Sequence, residues 1–197
     1  MPDLAAACEA LARRARQPAA IRLTLADHEE VIRLLGGTCA GFSRGVAALA
    51  RELPGCAGWP GDPLARAAEA LDRAQGFALD AHAAVRRLLA DPRCAPAARS
   101  RAPGRRPLPA AAASAAQAAG DPGAGIPLAA LEQAARHLGD ALSFECALAG
   151  HAADEAGFDP GCGSVISGHL AEAFGQLRTA RYQLKCAAHY AAPRGAA

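Results

Sequence analysis

The spacing of apolar residues is the feature that most constrains the fold of this chain. Between residues 62 and 91 one stripe advances in steps of four and three positions, through Leu64, Ala68, Leu71, Gln75, Ala78, His82, Val85 and Leu89. In an α-helix this spacing keeps one stripe turned towards neighbouring helices. Comparable stripes occur at residues 24–53, 127–156 and 164–190. The pattern therefore predicts an all-α protein with four long helices.

Local signals indicate where the first two of these helices begin. Thr24 followed by Asp27 resembles a capping box, and Asp62 with Pro63 supplies an N-cap and a proline at the first helical position. A glycine pair that begins at Gly36 interrupts the first helix. Glycine is a poor helix former, so either another helix approaches closely there or the helix bends.

Two short segments rich in glycine and proline, residues 54–61 and 157–163, separate the helices into two pairs. Short connections make consecutive helices antiparallel neighbours, so we expect two helical hairpins that pack as an antiparallel four-helix bundle with both turns at one pole. Both turns contain Pro-Gly-Cys, ending at Cys56 and Cys162. Internal duplication and chance similarity in a biased composition are the two explanations, and we expect unpaired thiols at both positions.

Two further segments complete the predicted architecture. Residues 3–16 predict a short N-terminal helix whose apolar stripe is Leu4, Cys8, Leu11 and Ala15. Residues 92–126 contain six prolines and five arginines with few large apolar side chains, which predicts a long, flexible Pro/Arg/Ala-rich linker. The expected organisation is residues 1–91 for the N-terminal helix and first hairpin, 92–126 for the linker, and 127–197 for a second hairpin that completes the bundle.

Composition narrows the class of protein further. The chain of 197 residues has 56 alanines but only five Phe, two Tyr and one Trp, so its core must consist mainly of aliphatic side chains packed against alanine. Such cores suit closely spaced helices. Arginine outnumbers lysine by 20 to 1, which together with the alanine, glycine and proline content suggests a GC-rich genome.

Charge and cysteine usage exclude several kinds of partner. A net charge of +2 gives no reason to expect nucleic acid or an anionic membrane, and no apolar stretch approaches the roughly 20 residues of a membrane span. The first nine residues lack the layout of a signal peptide, and seven cysteines occur without a Cys-x-x-Cys pair. We therefore expect a cytoplasmic protein with reduced thiols.

One arrangement of side chains has metal-ligating chemistry. His151 and Asp154 lie three positions apart on the third helix, His169 and Glu172 do so on the fourth, and Cys162 lies between the helices. Together they offer the nitrogen, oxygen and sulfur ligands that zinc accepts. The first histidine lies nearly opposite the leucine stripe of its helix, so the site would form on the outside of the bundle. A solvated polar face is the preferred interpretation, with no bound cofactor.

Three polar residues fall on the buried stripes: His28 on the first helix and Gln75 and His82 on the second. Buried polar groups need hydrogen-bond partners, and a single one per stripe often fixes the register of neighbouring helices. The stripes show no inward-facing carboxylate at the same level, so we favour a structural role over ligand binding or proton transfer.

The outer face of the third helix has an unexpected apolar content. Phe144 and Leu148 lie there between His137 and His151. Either the short N-terminal helix covers this face within the monomer, or a second copy or a partner protein does. No enzyme motif occurs in the sequence, so the leading hypothesis is a non-enzymatic protein–protein interaction or regulatory module that uses this face. The alternative is a small-molecule or metal-binding bundle that uses histidine, carboxylate and cysteine side chains.

Overall fold

The computed structural model describes residues 23–52, 62–100 and 128–191, and most of these residues are helical. The helices are α1 (Leu25–Glu52), α2 (Pro63–Ala90), α3 (Pro96–Arg99), α4 (Leu128–Glu155) and α5 (Pro160–Ala191). The described residues include no strand, and the prediction of an all-α protein is confirmed. The predicted N-terminal helix, the turn that contains Cys56 and residues 101–126 of the predicted linker lie outside the described residues.

The predicted starts of the first two long helices are confirmed at atomic detail. Thr24 Oγ1 accepts a hydrogen bond from the Asp27 N–H at 3.2 Å, and the Asp27 carboxylate accepts from the Thr24 N–H at 3.0 Å. This reciprocal pair is a capping box in which aspartate takes the place of glutamate. At α2, the Asp62 carboxylate accepts from the Leu64 N–H at 2.9 Å, and Pro63 occupies the first turn.

The last long helix begins earlier than the sequence predicts. We expected its start at residue 164, after a glycine-rich turn, whereas α5 begins at Pro160. A proline is well tolerated at the first helical position because its missing N–H has no intrahelical partner there. Gly163 thus lies within α5, where its backbone packs against the backbone of Gly150 on α4. Gly163 therefore allows two helices to approach closely and is not part of a turn.

The beginning of the predicted linker is also ordered. Cys94 is 2% exposed and belongs to the hydrophobic core, and residues Pro96–Arg99 form the single turn α3, which contacts α1. The sequence pattern missed this because the segment has only small apolar side chains, whose burial depends on the neighbouring helices.

The four long helices enclose one hydrophobic core. Helix α1 packs against α2, α2 against α5, α5 against α4, and α4 against α1, and the α1–α4 contact is the smallest of the four. The largest fully buried side chains are Leu25, Ile32, Leu35, Phe42, Val46, Leu71, Leu138, Leu142, Ile166, Leu170, Leu177 and Leu184. Small residues let the helices approach closely, as at Gly36, where an added Cβ would lie 3.5 Å from the Ala78 Cβ.

Contacts along the helix pairs give their directions. The pairs that show this are Cys146 with Ser167, Glu132 with Arg181, Glu29 with His82, and Ser43 with Ala68. Each helix pair has two of these contacts. The residue that comes later on the first helix contacts the residue that comes earlier on the second. Helix α4 therefore runs opposite to α5, and α1 runs opposite to α2.

The connection between α4 and α5 lies at the end of the molecule where α1 begins and α2 ends. His28 in the first turn of α1 contacts Glu145 in the second half of α4. Arg93, just after α2, is hydrogen-bonded to Asp91 and also experiences the charge of Asp159 in the α4–α5 connection. The end of α1 and the start of α2 lie at the opposite end. The expectation that both turns share one pole is therefore wrong, because turn lengths do not fix how one helix pair is oriented on the other.

Within the described residues, none of the helices is both long enough and apolar enough to cross a membrane.

Candidate functional site

A buried histidine–glutamate pair joins α1 to α4. His28 Nδ1 lies 2.7 Å from Glu145 Oε1, and each side chain is only 3% exposed. The contact spans 117 positions in the sequence and crosses the smallest of the four helix interfaces. A hydrogen bond in such a dry environment is strong, and each group would be costly to bury without the other.

The capping box at the start of α1 positions this histidine. Asp27, which forms the capping box with Thr24, is fully buried and immediately precedes His28. The cap fixes the first turn of α1, so the imidazole is held in place by the backbone as well as by Glu145. Because capping typically contributes about 1 kcal/mol, the local sequence favours this geometry before any tertiary contact forms.

A second histidine–glutamate pair joins α1 to α2 at the same end of the molecule. His82 Nε2 lies 2.6 Å from Glu29 Oε1, with side chains 16% and 21% exposed. His28 and Glu29 are consecutive on α1, so this helix contacts a glutamate on one neighbour and a histidine on the other. Gln75, the third predicted interior polar residue, is half-buried on α2.

Sequence reasoning found both histidines but missed both carboxylates. Glu145 lies three residues after Leu142 and four before Ala149, both fully buried, so its place on the core stripe of α4 was readable as an acidic residue at an apolar position. Glu29 had no such signal, because it lies beside the stripe rather than on it. Which histidine each glutamate meets depends on how α1 packs between α2 and α4.

The predicted metal-ligating residues are spread along α4 and α5. The His151 side chain is 69% exposed and lies 3.4 Å from Glu155 rather than near a second histidine. Asp154 and Glu172 are exposed, while Cys162 and His169 are half-buried. In the register set by the α4–α5 contacts, His169 lies about two turns from the level of His151, because α5 begins at Pro160.

The described parts of the chain contain no group of three or more His, Cys, Asp or Glu side chains that could hold a metal ion. A solvated face remains our prediction for His151 and its neighbours. We expect protein purified without chelator to carry no stoichiometric zinc or iron, because carboxylates and histidines on separate levels do not converge on one ion. Elemental analysis measures this directly. About one metal per chain, lost in a His151→Ala/His169→Ala variant, would contradict the prediction.

The predicted interaction surface is partly exposed on α4. Phe144 and Leu148, one turn apart, are 41% and 39% exposed, and His151 beyond them is exposed. His137 differs from the expectation, because it is half-buried and both ring nitrogens are shielded from solvent without a hydrogen-bond partner in the described part of the chain. We use the name outer α4 surface for Phe144, Leu148 and His151.

Three described side chains outside the two histidine–glutamate pairs have a shifted pKa. Burial raises the pKa of the Cys146 thiol, whose Sγ donates a hydrogen bond to the Ser167 carbonyl at 3.2 Å. A raised pKa keeps the thiol protonated and so lowers its nucleophilicity. The pKa of Tyr182 is also raised, chiefly by its hydrogen bond with Cys186. The pKa of Asp91 is lowered to about 2 by hydrogen bonds from Arg93 on the surface.

Comparison of the chain with protein-family models, with curated proteins and with solved structures gives no match.

Proposed function

We propose that the protein is a non-enzymatic protein–protein interaction or regulatory module, built as an antiparallel four-helix bundle from two hairpins. Its outer α4 surface would bind an amphipathic helix of a partner protein or of a second copy. The single observation that carries this proposal is the exposure of Phe144 and Leu148, four residues apart on one helix. The cytoplasmic location expected from the sequence belongs to the same proposal.

The exposure of Phe144 and Leu148 contrasts with the burial of other apolar residues on α4. Three leucines on the core stripe of this helix, Leu131, Leu138 and Leu142, are buried. Exposed apolar side chains are common singly, but Phe144 and Leu148 are adjacent on the helix surface because residues four apart face the same side. A partner helix would present anchors at the matching helical spacing.

Burial of Phe144 and Leu148 by a partner would supply a limited binding energy. Fully burying a phenylalanine or leucine is worth about 1.5–3 kcal/mol, and each 1.4 kcal/mol changes an affinity roughly tenfold. Since about two-fifths of each side chain is now exposed, only part of that energy remains to be gained. The pair therefore supports weak or moderate binding unless the surrounding surface also contributes.

The test is the Phe144→Ser/Leu148→Ser variant. We expect its self-association or partner association to weaken about tenfold while its thermal unfolding is little changed, because the exposed parts of these side chains contribute mainly to binding. Sedimentation velocity and thermal unfolding measure the two effects. A Leu79→Ser/Val165→Ser variant is the matched control, since these side chains are 49% and 52% exposed on α2 and α5. Unchanged association in both variants would show that the outer α4 surface is not used.

The second candidate function is a small-molecule-binding or metal-binding bundle that uses histidine, carboxylate and cysteine side chains. His28 and Glu145 could contact a ligand only if α1 and α4 separated, because both side chains are nearly inaccessible. Because His28 and Glu145 already satisfy each other by a hydrogen bond, a structural role explains their burial more simply than ligand binding does. Native mass spectrometry separates the two candidates: a retained ligand or metal at one per chain supports the second, whereas a dimer without ligand supports the first.

A further inference from the structure

We propose that the occupant of the outer α4 surface is a second copy of this chain, whose own α4 lies antiparallel to the first across a twofold axis. This inference rests on the proposed function, because it identifies the partner that the same surface binds. It goes beyond that proposal by fixing the orientation and the register of the two helices.

The apolar part of the surface is complementary to itself. Phe144 and Leu148 are four residues apart on one side of α4, and both are exposed. If a twofold axis crosses α4 at position 146, midway between them, Phe144 of each copy lies at the level of Leu148 of the other. Ala147, in the same turn, is also exposed, and its small side chain lets two helices approach to the separation of about 8–10 Å that packed helices have.

Two opposite charges flank the apolar pair at matching distances. Arg136 and Asp154 are both exposed on α4, and position 145 is midway between them. This midpoint is one residue, a rise of about 1.5 Å, from the midpoint of the apolar pair. The same axis therefore brings Arg136 of each copy to the level of Asp154 of the other, so the ion pair forms twice.

The two charges also lie along the same edge of α4, because the 18 residues between them make about five turns. This is the edge next to α5. The Asp154 carboxylate lies beside Gly163 of α5, and one turn before Arg136 the carboxylate of Glu132 contacts Arg181 of α5. A twofold axis perpendicular to the helices keeps this edge on the same side in both copies. A parallel arrangement would instead place like charges at the same level, so the charges favour the antiparallel one.

The symmetry of this arrangement favours a second copy over an unrelated helix. In a twofold interface both copies use the same patch, so each favourable contact occurs twice. Two phenylalanines and two leucines are then buried together, and the pair of Arg136 with Asp154 is repeated. Exposed ion pairs contribute little energy, so the charges mainly select the register while the apolar side chains supply most of the attraction.

The experiment is charge reversal followed by mixing. We expect Arg136→Glu and Asp154→Arg each to self-associate roughly tenfold more weakly than the parent protein, because each change turns both attractive pairs into repulsive ones. An equimolar mixture of the two variants should recover the parental association, because every charge at position 136 then meets an opposite charge at position 154 of the other chain. Sedimentation velocity measures the association, and native mass spectrometry shows whether the dimers in the mixture contain one chain of each kind.

Two control variants change the net charge by the same amounts elsewhere. Arg66→Glu and Asp72→Arg reverse exposed charges on α2, so both should associate as the parent protein does, alone and mixed. Thermal unfolding of all four variants checks that each is folded. Recovery in the mixture is independent of any folding defect, because mixing does not alter either chain.

The outcomes separate this inference from the proposed function. A mixture that associates no better than its two components overturns the inference, and so does a parent protein that stays monomeric at high micromolar concentration, which would leave the surface to a different partner. If association requires Phe144 and Leu148 but does not respond to charge reversal, the surface is used in another register and the inference alone fails. If association persists in Phe144→Ser/Leu148→Ser, the inference and the proposed function both fail.

Discussion

Replacing Gly163 with alanine should lower the free energy of unfolding by about 2 kcal/mol. An added Cβ would lie 2.7 Å from the Gly150 carbonyl oxygen and 2.8 Å from Asp154 Oδ1, both closer than real Cβ contacts. The nearer obstacle is backbone, so α4 and α5 must separate locally rather than rotate a side chain. Overpacking of this kind costs about 1–3 kcal/mol, more than the gain in helix propensity returns.

The matched control lies on the same helix. Gly168 has no atom within 4 Å of an added Cβ, so Gly168→Ala should raise the free energy of unfolding by about 0.5–1 kcal/mol through helix propensity alone. Urea denaturation monitored by circular dichroism measures both variants. Two stabilising substitutions would mean that α4 and α5 do not approach as closely as Gly150 and Gly163 indicate.

Removing one partner of the buried histidine–glutamate pair should have the largest effect of any polar substitution in the described part of the chain. In Glu145→Leu, His28 would keep its buried position without a carboxylate, and breaking a buried pair in this way costs about 3–5 kcal/mol when the groups are charged and about 1–3 kcal/mol when they are not. We expect a loss of about 3 kcal/mol in the free energy of unfolding. Denaturant titration of the variant and the parent protein measures it.

Two comparisons make this prediction specific to the pair. The double variant His28→Leu/Glu145→Leu should recover most of the lost stability, because replacing a whole buried pair by apolar side chains of similar volume is often neutral. Glu29→Leu, which removes a carboxylate from the more exposed pair with His82, should cost no more than about 1 kcal/mol. If the double variant were as unstable as the single one, packing around Glu145 rather than its hydrogen bond would explain the loss.

The pair also has a consequence for how the fold is specified. Apolar contact between α1 and α4 is limited, and leucine and alanine can pack in several registers at similar cost. A hydrogen bond that only one register satisfies selects among them. We therefore interpret His28 and Glu145 as the residues that fix the position of α1 on α4.

Much of the fold was readable from the sequence because it depends on local physics. The four-and-three spacing of apolar residues, the capping box at Thr24 and the aspartate–proline start at Asp62 act within one helix, and each predicted the observed element. The burial of His28 followed from the same spacing. The exposure of Phe144 followed from its angle to the leucine stripe of α4.

The incorrect predictions have one cause in common, because each of them depends on contacts between helices. A glycine in a turn and a glycine at a helix crossing look alike in sequence, so the start of α5 was predicted too late. The opposite placement of the two turns depends on how one helix pair is oriented on the other, and no turn residue carries that information. The ordered segment around Cys94 depends on the core that receives it.

What the sequence alone determined, then, is the four long helices and the side of each that is buried, because backbone hydrogen bonds and apolar periodicity act over a few residues. Only the tertiary structure decided that Glu145 meets His28, that Glu29 meets His82, and that Gly163 lies against Gly150. These contacts join distant parts of the chain, and their energies depend on which helices are neighbours and at what register. Periodicity within one helix is the same for every such arrangement, so it cannot select among them.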